Sequence, residues 1–380
     1  MAFTALIGQP RVQRLLDALV HSGRFPSLLF TGQPGVGKRT AALLLAQAAN
    51  CESASDRSRA QAKSATRPCG ACRSCQAIAA LKHPDVVVLF PLKPRRTDTD
   101  PDPEEMAQEL YQSLPGYALT RAQPTPEPTH TIGIGLIRWV RNIIAKPPGQ
   151  GHHRLFIILH AQRMTRDAAN AFLKTLEEPY ERTSFVLTTD NPAQLLPTIR
   201  SRCQTVRFAN IPEELIRSWL SEHAGADSTL ASMAAAIAHG SLGRALQFLR
   251  APEELVNPDA LDFFARAEVN ERVILEVLAR IGDKAELSTI VETLLFLYDR
   301  ALHEKLAKES STQVVQDSRG TGHNYADRAK EKAAALSLRD LIRATTLLRS
   351  RLDDSRLNIY QPLALYTLLS ALRQRRTKSG

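Results

Sequence analysis

Nine consecutive residues near the N-terminus constrain the fold more than any other part of this chain. Gly32-Gln33-Pro34-Gly35-Val36-Gly37-Lys38-Arg39-Thr40 follows the short apolar run Ser27-Leu28-Leu29-Phe30-Thr31 and leads into the alanine- and leucine-rich stretch 41–49. A strand, a glycine loop and a helix in that order form a phosphate cradle. The glycines let backbone N–H groups converge at the positive end of a helix, and Lys38 adds a point charge. Such a loop sits at the end of a parallel strand, and further short apolar runs at 85–90, 154–159, 184–188 and 205–208 alternate with helical patterns. The spacing predicts an α/β fold, a parallel sheet with helices on its faces, over residues 1–209.

Within that region, 91–131 carries Pro101-Asp102-Pro103 and Pro124-Thr125-Pro126-Glu127-Pro128, a composition read as a mobile insertion without a packed core. After Asn210-Ile211-Pro212 the strands stop and helical patterns follow at 213–222, 228–238, 242–249 and from about 261 onward, broken by a polar loop at 310–324. The chain ends in a basic tail, 373–378, read as solvated. The length, 380 residues, suits two or three domains, and 43% hydrophobic with 23% charged residues is a globular composition. A net charge of +10 favours anionic neighbours without identifying one. No apolar stretch approaches the ~20 residues of a membrane span, and the opening Met1-Ala2-Phe3-Thr4 lacks the pattern of a secretory leader. No membrane association and a cytoplasmic location are expected.

Magnesium-dependent hydrolysis needs more than a phosphate cradle. A Ser or Thr directly after the lysine supplies a hydroxyl to Mg²⁺, and here that place is Arg39, with Thr40 one residue late. A helix turns about 100° per residue, so Thr40 does not take over the position. The strand 155–159 should end in carboxylates for the metal and the attacking water, but His160-Ala161 follows it. The loop keeps the features for holding phosphate and lacks those for ATP turnover, so intrinsic hydrolysis is not expected and ATP or ADP binding is left open.

Cys51 and Cys69-Gly70-Ala71-Cys72-Arg73-Ser74-Cys75 bring four thiols into the segment after the loop's helix. Four thiolates complete a tetrahedral Zn²⁺ shell with no open position, so a structural zinc is expected. An iron–sulfur cluster and unligated core thiols are the alternatives. Cys203 stands apart and reads as a small buried hydrophobe. Residues 165–179 read as a capped helix stopped by Pro179, with Glu177 and Glu178 in its last turn, where they oppose the helix dipole. Beyond it, Pro197-Thr198-Ile199-Arg200-Ser201-Arg202-Cys203 reads as a helical turn whose arginines face solvent or reach a neighbouring molecule's phosphate.

On these residues the sequence resembles the bacterial DNA polymerase III clamp-loader family of AAA+ proteins. The resemblance is carried by 32–40, the four cysteines, His83-Pro84-Asp85, Asn170-Ala171-Phe172-Leu173-Lys174-Thr175-Leu176-Glu177-Glu178-Pro179, Ser201-Arg202-Cys203 and Gly240-Ser241-Leu242-Gly243-Arg244-Ala245. It extends to about residue 250; beyond that only length and helicity agree. The resemblance implies an AAA+ P-loop domain over 1–209 with a zinc loop at 51–75, a helical lid over 210–252, and a helical collar over 253–380. Through the collar five subunits, among them motor subunits and a delta subunit, form an open ring that reaches the sliding clamp and primed DNA. It implies phosphate or nucleotide contacts from Gly32, Gly35, Gly37, Lys38, Thr40 and Arg244, and a sensor at Thr188 or Thr189. It also implies a zinc set of Cys51, Cys69, Cys72 and Cys75, and an arginine finger, Arg202, that acts in trans on a motor subunit's ATP. The departures at Arg39, His160 and Ala161 fit a stator-like, non-hydrolysing subunit better than a motor subunit. An active AAA+ motor, which needs carboxylates at 160 and 161, and a zinc-dependent DNA-binding module are the competing readings.

Overall fold

The computed structural model describes residues 3, 5–54, 68–93, 103–114, 129–145, 147–149, 153–177, 180–226, 228–250, 258–265, 271–281, 290–291, 293–295, 297–298, 301–302, 305, 335–354 and 361–372. The polar loop expected at 310–324 and the basic tail at 373–378 lie outside them, as does Glu178.

All five expected strands are present: β1 (Leu28–Thr31), β2 (Val86–Leu89), β3 (Arg154–Ile158), β4 (Thr183–Thr189) and β5 (Gln204–Arg207). They form one sheet in the order β2-β3-β4-β1-β5, and every pairing is parallel. In register, Leu28 lies opposite Val186 and Gln204, and Leu155 lies opposite Val86 and Ser184. β1 to β4 are buried along their whole lengths, which is why they read as unbroken apolar runs rather than alternations. β5, at one edge, buries Val206 and exposes Gln204, Thr205 and Arg207. Phe156, Phe172 and Phe185 fill the core, with Phe172 edge-on to Phe185 at 5.1 Å between ring centroids.

Helices α1 (Pro10–Ser22), α2 (Lys38–Ala49), α3 (Arg73–Ala79), α4 (Pro103–Ser113), α5 (Ile134–Ile144), α6 (Arg166–Glu177) and α7 (Pro197–Ser201) accompany the sheet. α2 begins three residues earlier than the alanine-rich run suggests, because Gly37 caps it in a left-handed conformation. Thr165 caps α6, its Oγ1 accepting from Ala168 N at 3.2 Å. The expectation for 91–131 is corrected in part. Its described centre is α4, which buries Ala107 and Leu110, with Leu114 buried just after it, and packs on α5, with Tyr111 edge-on to Trp139.

Further helices follow at α8 (Glu213–His223), α9 (Ser228–Ile237), α10 (Leu242–Arg250), α11 (Pro258–Ala265), α12 (Glu271–Ile281), α13 (Leu338–Asp354) and α14 (Gln361–Ala371). The chain divides into two compact units, Met1–Ile216 with Gly240–Gly243, and Arg217–His239 with Arg244–Gly380. This differs from a division at 209 and 252. The turn at Gly240 stays with the sheet unit because Ile211 N donates to Gly240 O and Gly243 N donates to Gly35 O. Among the described residues no helix is long and apolar enough to cross a membrane.

Candidate functional site

The glycine loop leaves the C-terminal end of β1, the side of a parallel sheet where ligand sites form, and closes on the first turn of α2. Gly32, Gly35 and Gly37 all adopt positive φ, at 145°, 76° and 99°. Gly35 is constrained from outside as well. A Cβ there would collide with Ser241 Oγ and lie 3.0 Å from Gly243 Cα, and the Gly35 carbonyl accepts from Gly243 N at 3.0 Å.

Lys38 turns back onto its own loop, donating to Gly32 O at 2.5 Å and Gln33 O at 2.7 Å. Burial lowers its pKa to about 8, against the opposing pull of the Asp190 carboxylate. Arg39 and Thr40 occupy the second and third positions of α2. β3 stops at Ile158, one residue earlier than expected, so the two positions at its end are Leu159, fully buried, and His160, while Ala161 is buried in a short 3₁₀ turn. None of the three is acidic. Burial lowers the His160 pKa, with Asp190 opposing and Lys38 and Arg163 adding to the effect.

The carboxylate that faces this region comes instead from Asp190, just after β4, whose Oδ1 accepts from Gln162 Nε2. The two sensor candidates differ in direction. Thr188 Oγ1 accepts from His160 N at 3.2 Å, across to the end of β3, whereas Thr189 Oγ1 accepts from Asn191 N at 3.1 Å in its own turn. Arg244 lies in the first turn of α10, in the second compact unit. Gln9 was not legible as a site residue. Its side chain donates to Ala209 O at 2.7 Å, accepts from Ala209 N at 3.0 Å and reaches Val36 O at 3.5 Å, joining the loop to the exit from β5. A single polar residue carries no periodic signal; its placement directly before Pro10 at the start of α1 was the available clue.

The four expected cysteines converge. The sulfurs of Cys51, Cys69, Cys72 and Cys75 all lie within 4.8 Å of one another, with Cys69 and Cys75 4.0 Å apart. Ligands on a tetrahedral zinc at about 2.3 Å stand roughly 3.8 Å apart, so this set can hold a metal ion. The backbone supports it: Cys72 N donates to Cys69 Sγ and Cys75 N to Cys72 Sγ, both at 3.4 Å. From neighbouring groups, Gln47 Nε2 holds Cys75 O at 2.7 Å and Glu52 accepts from Ser74 N at 3.2 Å. Burial raises the Cys51 and Cys75 thiols. Burial also pushes Cys69 up, but hydrogen bonds from Ser53 and from the backbone of Cys72 and Ala71 outweigh it and leave that thiol at about 6. Cys203 is buried and its thiol pushed up to about 11 by burial, in keeping with a core residue.

Arg202 is the C-cap of α7, 33% exposed. Its Nη1 donates to Thr198 O at 3.0 Å and to Ser201 Oγ at 3.5 Å, and its Nη2 donates to Glu177 Oε1 at 2.5 Å. Just before β2, His83 and Asp85 of the His83-Pro84-Asp85 segment are buried. His83 Nδ1 accepts from Asp85 N, and Asp85 Oδ1 accepts from Gly149 N at 2.8 Å and Arg154 Nη2 at 3.2 Å.

The protein family described as DNA polymerase III, delta subunit, matches residues 8–212, over half of the chain. The Bacillus subtilis protein named DNA polymerase III subunit delta' is 33% identical over 215 residues, 56% of this chain and about half, 51%, of its own length. The Haemophilus influenzae subunit delta' is 27% identical over 328 residues, 86% of this chain and 84% of its own. A solved structure of a gamma-subunit-related protein of DNA polymerase III from Thermotoga maritima aligns over 96% of this chain and 99% of its own, at 20% identity and a TM-score of 0.40. The parallel sheet with its glycine loop fits the AAA+ class, and the family match spans that loop, the converged cysteines and the Arg202 turn. The chain belongs to the DNA polymerase III delta-subunit family and is delta'-like within it.

Proposed function

We propose that this chain is a non-hydrolysing subunit of a DNA polymerase III clamp loader and that it supplies Arg202 to the ATP site of a neighbouring motor subunit. The observation that carries this reading is a divided inheritance: the phosphate loop keeps its backbone geometry, while Leu159, His160 and Ala161 after β3 offer none of the carboxylates that hydrolysis needs. Arg202, partly exposed at the C-cap of α7, carries a planar fork that suits a transferring phosphoryl group. In this reading the helices after 252 join the chain to its partners in a five-subunit ring, the sliding clamp and primed DNA are reached through that assembly, and Cys51, Cys69, Cys72 and Cys75 hold a structural Zn²⁺.

Fingers of this kind contribute on the order of 10³–10⁵ in rate at one site, and a loader with several ATP sites loses less as an assembly. The complex carrying Arg202→Ala is expected to assemble normally and to hydrolyse ATP more slowly when stimulated by clamp and DNA, with incomplete rescue by lysine. Wild-type stimulated hydrolysis in an intact Arg202→Ala complex would remove the finger and leave a scaffold. Robust turnover by the isolated chain, abolished by Lys38→Ala, would favour the motor reading instead.

A further inference from the structure

A carboxylate in the last turn of a helix faces the negative end of the helix dipole and is stabilised by a cation placed beside it. Glu177 is the last residue of α6, and the cation beside it is Arg202, 25 residues away in sequence. An arginine offers five N–H donors. Here Nη1 gives two, to Thr198 O and Ser201 Oγ, and Nη2 gives one to Glu177 Oε1, leaving the Nε–H and one Nη2–H among the contacts of the described residues. The Nε–H, which makes none of these contacts, lies on the edge of the guanidinium it shares with Nη2, an edge that can grip two oxygens of one phosphate side by side. The pair stands at the surface, 33% and 47% exposed, so a neighbouring molecule can reach it.

We propose that Glu177 is a positioning residue for Arg202: it fixes the guanidinium in advance with one edge bound to its own subunit and the other presented to a neighbour's phosphate. The proposal rests on the reading of Arg202 as a finger in trans. A free arginine side chain samples many rotamers, and ordering it during the reaction slows the step that the finger serves. Anchoring by three local acceptors moves that ordering into the folding of the subunit. The bound carboxylate does not neutralise the finger for its task, because a phosphoryl group carries more than one negative charge and approaches the unused edge.

The test is a double-mutant cycle in the assembled loader, with Glu177→Ala, Glu177→Gln, Arg202→Ala and Glu177→Ala/Arg202→Ala, read as stimulated kcat and KM for ATP. Both side chains are exposed, so assembly by size-exclusion chromatography and the melting temperature should stay unchanged, which separates positioning from a structural role. Glu177→Ala is expected to lower kcat up to about fivefold, the size of effect an exposed ion pair supports, with KM unchanged. Glu177→Gln, which keeps an acceptor oxygen, should fall between, and Glu177→Ala should add nothing to Arg202→Ala. Normal kcat in Glu177→Ala beside a reduced Arg202→Ala overturns the positioning role and leaves the finger standing; normal kcat in Arg202→Ala overturns both. An equal loss from Glu177→Ala with or without Arg202, or a faster Glu177→Ala complex, also overturns the proposal, since Glu177 would then act elsewhere or restrain the finger.

Discussion

Replacing Asp85 by alanine should destabilise the sheet unit by about 3 kcal/mol. Asp85 and Arg154 form an ion pair with side chains only 1% and 6% exposed. Removing one partner of such a pair strands a buried charge, at a typical cost of about 3–5 kcal/mol. The lower end applies because Arg154 keeps two carbonyl acceptors, Ile143 O at 2.8 Å and Pro147 O at 2.9 Å. Asp85→Asn retains an oxygen for Gly149 N and loses the charge, so about 1–2 kcal/mol is expected, the difference between charged and neutral hydrogen bonds. Trp139 is the natural reporter, buried on α5, the helix that contributes Ile143 O. In a Trp219→Phe background, urea unfolding followed by Trp139 fluorescence reads this unit alone, which matters because a chain with two compact units need not unfold in one step. The midpoint should fall with the slope unchanged. Loss below about 1 kcal/mol for Asp85→Ala, or equal losses for alanine and asparagine, would refute the stranded-charge argument.

Burial, with Arg182 adding to it, lowers His153 to about 4, and the ring sits against Phe25 and Ser184. Unfolded, it titrates near 6.5, so the unfolded state binds the extra proton between those values; stability should therefore be full above about pH 6.5 and decline towards pH 4, by about 2 kcal/mol after allowing for residual solvent contact. His153→Gln should flatten that part of a stability-against-pH curve, and an unchanged curve would count against it. Gly35→Ala should cost about 1–3 kcal/mol in the same unfolding assay, from its positive φ and its collision with Ser241, whether or not nucleotide is present. Protein purified without chelator should contain one zinc per chain by elemental analysis, and Cys72→Ser should lower it while the sheet unit stays folded; iron, or no metal, would contradict this.

The five strands were legible because a strand buried on both faces has to be apolar throughout, as β1 and β3 are. Their ends were less so. β3 stops where His160 takes a left-handed conformation, a decision of turn geometry that hydropathy does not record. α4 was hidden by the prolines and aspartates around it, although Ala107, Leu110 and Leu114 recur at helical spacing behind a Pro-Glu-Glu start. The cysteine cluster was readable from spacing alone, because three of its members stand at Cys-x₂-Cys-x₂-Cys spacing and Cys51 is the nearest cysteine before them. The contact between Glu177 and Arg202 was not, since it joins two helices across β4 and depends on where each one ends.

The contact of Gly35 with Ser241 and Gly243 has a consequence for comparing relatives of this chain. Lys38, Arg39 and His160 answer to chemistry, and a subunit that stops hydrolysing ATP is free to change them. Gly35 answers to a wall of backbone and a buried hydroxyl 206 residues further along the sequence, which stays in place whether or not a phosphate ever arrives. A glycine signature of this kind therefore outlives the catalysis it is used to diagnose. In this chain the letters that bear on hydrolysis are those after β3, and Gly35 testifies to how the loop is packed.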